Sequence, residues 1–153
     1  MSQRIDYGKD YPDAMRGLLR TEKYIQHSSL DTTLYHLVKI RASQINQCAY
    51  CIDMHTKDAR HKGETEQRIY ALSAWRETSF FTEKERAALE WAEALTLIAE
   101  KGVPDDLYER VRGHFDEEEM MALTMSVIAI NGWNRLAISM KTPAGIYQPG
   151  DHG

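Results

Sequence analysis

The strongest constraint on the fold is where helix-breaking residues do not fall. Between Gly17 and Gly63, and again between Gly63 and Gly102, the chain contains neither glycine nor proline. These two residues end helices and shape tight turns. The Asn-Gly or Asp-Gly turns that join alternating strands into hairpins are also missing. Asn131-Gly132 is such a pair, but it stands inside a long helical pattern and is read as part of a helix. The chain is expected to be all-α, a single helical bundle.

Local signals place the helices. Pro12 and Asp13 open a first helix that runs to about His27. Asp31 caps the next, where Leu34, Leu37, Val38, Ala42 and Ile45 form an apolar stripe at helical spacing. A third carries Cys48 to Lys62 and stops at Gly63. No glycine or proline marks where it begins, and Asn46 is the best cap candidate. Thr65 caps a fourth helix that includes Ile69, Leu72 and Trp75. Thr82 and Glu85 form a capping box for a fifth, with Ala88, Trp91, Ala92, Leu95 and Ile98 inward and Gly102 at its end. Pro104 and Gly113 bracket a short sixth. Asp116 caps a long apolar helix to about Met140. Residues 1–141 form the helical domain and 142–153 a C-terminal arm, rich in glycine and proline and expected to be an arm or partner contact rather than a packed element.

Composition narrows the class. Hydrophobic residues make up 42% of the chain, enough for a substantial core. Nineteen Lys and Arg against twenty-three Asp and Glu give a net charge of −4. That excludes the basic footprint of a general nucleic-acid binder. The longest charge-free apolar stretch, residues 120–134, falls short of the about twenty residues a membrane span needs, so no membrane partner is expected. The first residues carry no apolar run of a secretory signal, and a cytoplasmic location is expected.

The informative motif is Cys48-Ala49-Tyr50-Cys51-Ile52-Asp53-Met54-His55. Residues three and four apart are neighbours on a helix, so Cys48, Cys51 and His55 project from one side. Two thiols at this spacing can close a disulfide, and an imidazole one turn on can take a proton from the nearer thiol. Only the thiolate attacks a peroxide or disulfide. The sulfenic acid that results is converted to a disulfide by a second thiol nearby. His55 next to Cys51 favours Cys51 as the attacking thiol, with Cys48 resolving. The opposite order follows if Cys48 stands closer to the helix start, where the dipole favours negative charge. A c-type haem site is excluded, because Ile52 and not histidine follows Cys51. Two rival readings use the same residues: a zinc module with Cys48, Cys51, His55 and His36 as ligands, and two buried cysteines that only pack. Asp53 and Asp58 beside the motif are read as solvated.

The stretch Arg41-Ala42-Ser43-Gln44-Ile45-Asn46-Gln47 followed by the Cys48-to-His55 motif resembles the core of the AhpD-like alkylhydroperoxidases, within the carboxymuconolactone decarboxylase superfamily. The likeness continues through residues 63–68, 75–77, 83–96 and 131–135, so it spans about residues 30–140. It implies an AhpD-like helical subunit in a homo-oligomer, a trimer or hexamer, that reduces hydroperoxides or disulfides with thiols and needs no metal or other cofactor. It implies that Cys51 meets the peroxide, Cys48 resolves, and His55 matches the family histidine. Two positions depart from the pattern. His36 stands where the family has a relay glutamate, and Tyr50 where it has a histidine. His36 can still pass protons near neutral pH, whereas a tyrosine, with a pKa of about 10, is a poor base.

The expected function is a thiol-dependent peroxidase that reduces small organic hydroperoxides through a Cys48/Cys51 dithiol–disulfide cycle. Cys51, Cys48, His55 and His36 are the site residues, and a dithiol or protein is the reductant. The alternatives are a slow redox-sensing or disulfide-reductase oligomer and the zinc module.

Overall fold

The computed structural model describes residues 2–151; the last two residues of the expected arm lie outside that range. Among the described residues the regular structure is helical. The helices are α1 (Tyr7–Asp10), α2 (Arg16–Gln26), α3 (Thr32–Asn46), α4 (Ala49–His61), α5 (Glu66–Ala71), α6 (Glu83–Thr96), α7 (Ile98–Lys101), α8 (Asp105–Arg112) and α9 (Glu117–Met140). Tight 3-10 turns at Pro12–Met15 and Leu72–Glu77 lead into α2 and out of α5.

The caps explain most boundaries. Asp31 accepts the amides of Thr33 and Leu34, and Thr65 that of Arg68 at 3.2 Å. Thr82 with Glu85 and Asp116 with Glu119 form complete capping boxes. Three expectations need correction. Trp75 lies in the 3-10 turn and not in an α-helix, because Ala74 leaves helical geometry. The fifth expected helix breaks at Leu97, so Ile98 opens the short α7 and is exposed rather than inward. Proline at position 12 starts the 3-10 turn, and the α-helix proper begins at Arg16.

Helix α3 is the centre of the bundle. It packs against α4, α6 and α9, while α2 lies along α9. His36, Leu37, Val38, Lys39, Ile40, Ala42 and Ser43 are all buried, so α3 is enclosed on nearly all sides instead of presenting a single stripe. Leu37 and Ile40 pack with Leu72, Trp75 and Leu89, each such burial contributing about 2 kcal/mol. Gly132 sits where α2 crosses α9; a Cβ there would meet a Leu18 methyl at 3.1 Å, so the glycine admits the close approach. No described helix is long and apolar enough to cross a membrane.

Candidate active site

The site is built where α3 hands over to α4. Gln47 takes the left-handed conformation, φ 59° and ψ 41°, and turns the chain without glycine. Cys48 is then extended and caps α4, its Sγ accepting the Cys51 amide at 3.4 Å. Its own amide donates to the Ser43 carbonyl at 3.0 Å. This corrects the expected cap: Asn46 is the last residue of α3, and its side-chain amide donates to Asn131 and Asn134 on α9, both at 2.9 Å. Asn134 donates in turn to Ser43 Oγ at 3.0 Å. This amide network clamps the end of α3 to α9 and so holds the turn that presents Cys48.

Cys48 and Cys51 are joined in a disulfide, with Cα atoms 5.4 Å apart. Both are buried, 1% and 3% exposed, among Ala42, Ile130 and Ala137, with Tyr50 and Trp133 partly covering the group. Along α4 the inward positions are Cys51, His55 and Ala59, so His55 shares the core face with Cys51 one turn on. His36 is buried on α3. Neither histidine has a hydrogen-bond partner at Nδ1. Burial first, then the Lys39 charge and the neighbouring His36, hold His55 well below the ordinary imidazole value. Burial also lowers His36, aided by Lys39 and opposed by Asp58. Both rings are therefore neutral near pH 7, each with one acceptor nitrogen. Burial raises the Tyr50 phenol, reinforced by Tyr7 and Asp53, so it cannot serve as a base there. A cleft of about 270 Å³ between the start of α3 and the end of α4 is lined by His36, Thr32, Thr33, Ala59 and Lys62. Through it His36 faces the exterior.

The structure thus brings Cys48, Cys51 and His55 to one place and sets His36 on the neighbouring helix. The two sulfurs are bonded to each other, and among the described residues no three His, Cys, Asp or Glu side chains converge as a ligand set. Asp53 and Asp58 are not merely solvated. Asp53 accepts from Lys57 and from the Gly145 amide, each at 3.0 Å, and Asp58 accepts from the Tyr147 hydroxyl at 2.6 Å. Lys57 also donates to the Tyr147 carbonyl at 2.9 Å, and the Tyr147 ring is buried. The arm is therefore strapped along α4.

Sequence reasoning missed Glu22 and Lys39. Lys39 is wholly buried and pairs with Glu22, which also accepts from Tyr35 at 2.6 Å and from Trp133 at 3.2 Å. The signal was present: a lysine set between Val38 and Ile40 in a run that is otherwise apolar from Leu37 to Ile40.

Residues 10–94 match the profile of the Carboxymuconolactone decarboxylase family. The chain belongs to that family. It is 53% identical over 140 residues to the uncharacterized protein YdfG of Bacillus subtilis (strain 168), covering 92% of this chain and 95% of that one. A solved structure from Agrobacterium tumefaciens, a protein of unknown function for which an AhpD antioxidant-defence role has been suggested, is 45% identical. It superposes with a TM-score of 0.90, over 95% of this chain and all of that one. An uncharacterized peroxidase-related protein from Ralstonia eutropha JMP134, with an alkylhydroperoxidase AhpD core, shares the fold. There the TM-score is 0.78 at 18% identity, over 89% of this chain and 73% of that one. The family member is thus AhpD-like in fold, and its family includes enzymes.

Proposed function

We propose that the protein is a thiol peroxidase that reduces small organic hydroperoxides. The observation that carries this reading is the Cys48–Cys51 disulfide at the start of α4 with a buried, neutral His55 one turn on. In the reduced protein the Cys51 thiol passes its proton to His55. The thiolate attacks the terminal oxygen of the hydroperoxide, forming an S–O bond as the O–O bond breaks. Burial and Lys39 make a lasting imidazolium costly, so the proton goes on to the departing alkoxide and an alcohol leaves. Cys48 then attacks the sulfenic sulfur, the disulfide forms and water departs. Two electrons have moved from two thiols to one peroxide. An external dithiol, oxidised in turn, resets the pair. Cys48 caps α4, so the Cys51 amide and the helix start favour negative charge on it, the condition for the opposite order. Cys51 is assigned the attack because His55, the proton acceptor, shares its face one turn on, and Cys48 then serves as the leaving thiolate in the reset. His36, at the outer cleft, exchanges protons with solvent.

The burial of both sulfurs favours a small substrate over a protein disulfide, because a folded partner cannot bring its sulfur in line with Cys51. A cytoplasmic setting supplies the reductant. Assembly as a trimer or hexamer belongs to the same reading, supported by exposed Met121, Ile128 and Ile138 on α9. The reduced protein should be mixed with limiting tert-butyl hydroperoxide and followed by intact mass and thiol count. Loss of both thiols as one intramolecular disulfide, much faster than free cysteine reacts, is expected. In Cys48→Ser the product should be a sulfenic acid on Cys51, and Cys51→Ser should not react. Thiols that survive, or react no faster than free cysteine, end the peroxidase reading and leave a slow redox sensor.

A further inference from the structure

Lys39 is a charged side chain with no access to water at the centre of the bundle. Its ammonium is held by Glu22 of α2 and lies 4.4 Å from the centre of the Tyr35 ring. Burying an ion pair is costly, and an apolar pair of similar volume is often at least as stable. Stability alone therefore gives this pair no reason to be charged. Its surroundings do. Lys39 lies one turn from His36 on one side and from Ala42 and Ser43 on the other. Ala42 packs on the disulfide, and the Ser43 carbonyl takes the Cys48 amide. Glu22 is hydrogen-bonded to Trp133, whose ring packs on the same cysteine cluster. The pair is thus built into the wall of the dithiol site from two directions.

After burial, the Lys39 charge opposes protonation of both His55 and His36. The other charged or titratable groups are placed elsewhere. Tyr35 donates to Glu22, and Asp58, Lys62 and Glu64 act on His36. Glu93 of α6 is taken by Arg41, Arg76 and Trp75. On α9 the neighbours Trp133 and Asn134 are uncharged.

We propose that Lys39, held by Glu22, is a positioning residue of the dithiol site: a buried cation in the wall of the site that favours the thiolate of Cys51. The inference rests on the thiol-peroxidase reading. Burial pulls the Lys39 ammonium below its ordinary value, and the charge and hydrogen bond of Glu22 oppose that; the cation so held favours the thiolate and takes no part in proton transfer to substrate.

The test is the pH dependence of iodoacetamide alkylation of Cys51, in a Cys48→Ser background so that one thiol reports. Lys39→Met is compared with the double variant Glu22→Gln/Lys39→Met, each with folding checked by circular dichroism and melting. The double variant leaves no orphaned charge, and the amide oxygen that replaces the carboxylate still accepts from Tyr35 and Trp133, so it is expected to stay folded and carries the test if the orphaned Glu22 unfolds Lys39→Met. The alkylation midpoint is expected to rise by about one pH unit or more when the cation is removed. An unchanged midpoint in the folded double variant overturns the proposal. The His55 ring followed by NMR in the Cys48→Ser protein should titrate below the ordinary imidazole value and move up in the folded double variant; a His55 titration unmoved by removal of the cation also overturns the proposal. Alkylation needs no peroxide, so this proposal can fail while the peroxide reaction stands. Equally, a protein inert to peroxide ends the functional reading whatever the alkylation shows.

Discussion

Replacing Glu93 should be among the most damaging single changes available outside the cysteine site. Glu93 is 4% exposed on α6 and accepts from Trp75 Nε1 at 2.9 Å, Arg76 at 2.6 Å and Arg41 at 3.3 Å. Burial alone would raise its carboxyl; the Arg76 and Trp75 hydrogen bonds and the Arg76 and Arg41 charges overcome that and leave it below the ordinary range. Arg76 is half exposed, so its share is small, about 0.5 kcal/mol. Losing the carboxylate from Arg41 and Trp75 orphans two enclosed donors, and breaking a buried pair in this way costs about 3–5 kcal/mol. Glu93→Ala should therefore lose about 4 kcal/mol, and Glu93→Gln, which can still accept from Trp75, about 2 kcal/mol. For a chain of this size the alanine change corresponds to a fall in Tm of about 8–16 °C. Urea unfolding at pH 7 followed by circular dichroism, with calorimetry, measures both. The carboxylate contributes stability above its unfolded value of about 4.3, and that contribution is lost as pH falls through the lower folded value. The Glu93→Gln deficit should accordingly shrink in acid. A loss below about 1 kcal/mol for Glu93→Ala, or a deficit that does not depend on pH, would refute the reasoning.

Three further outcomes are expected. Gln47→Gly should stabilise the protein by up to about 1 kcal/mol in urea unfolding, because a left-handed residue at φ 59° carries a Cβ penalty that glycine lacks. Between pH 7 and pH 5.5 the protein should lose stability: His55 and His36, lowered when folded, bind fewer protons than the unfolded chain below about pH 6.5. A His36→Gln variant should show a shallower slope over the same range. Tyr147→Phe removes the hydroxyl that donates to Asp58; hydrogen exchange and limited proteolysis should show faster opening confined to the arm, at a cost of about 1 kcal/mol or less.

Much of the bundle was legible because helix ends are local chemistry. Asp31, Thr65, Thr82 with Glu85, and Asp116 with Glu119 each satisfy amides within three residues of themselves. The start of α4 was not, since a cysteine sulfur acts as its cap and a glutamine supplies the left-handed turn, neither of which is the usual residue for its task. Asn46 carried a cap's side chain but spends it on α9, 85 and 88 residues away. The break at Leu97 has no glycine or proline either, so periodicity ran on through Ile98. Within the site, Cys48, Cys51 and His55 were readable from spacing, because one helix turn brings them together whatever surrounds them.

The helical class, the boundaries set by polar caps, and the grouping of two thiols and an imidazole at the start of one helix are written in local residue patterns. These depend on interactions over three or four residues, which chain order specifies. The folded chain is what brings Lys39 and Glu22 together, opens His36 on a cleft, and straps the arm along α4 through Asp53, Lys57 and Asp58. Each of these joins residues far apart in sequence, and their protonation and bonding follow from the depth at which packing encloses them. Burial and long-range pairing belong to the folded chain as a whole and leave no local pattern to read.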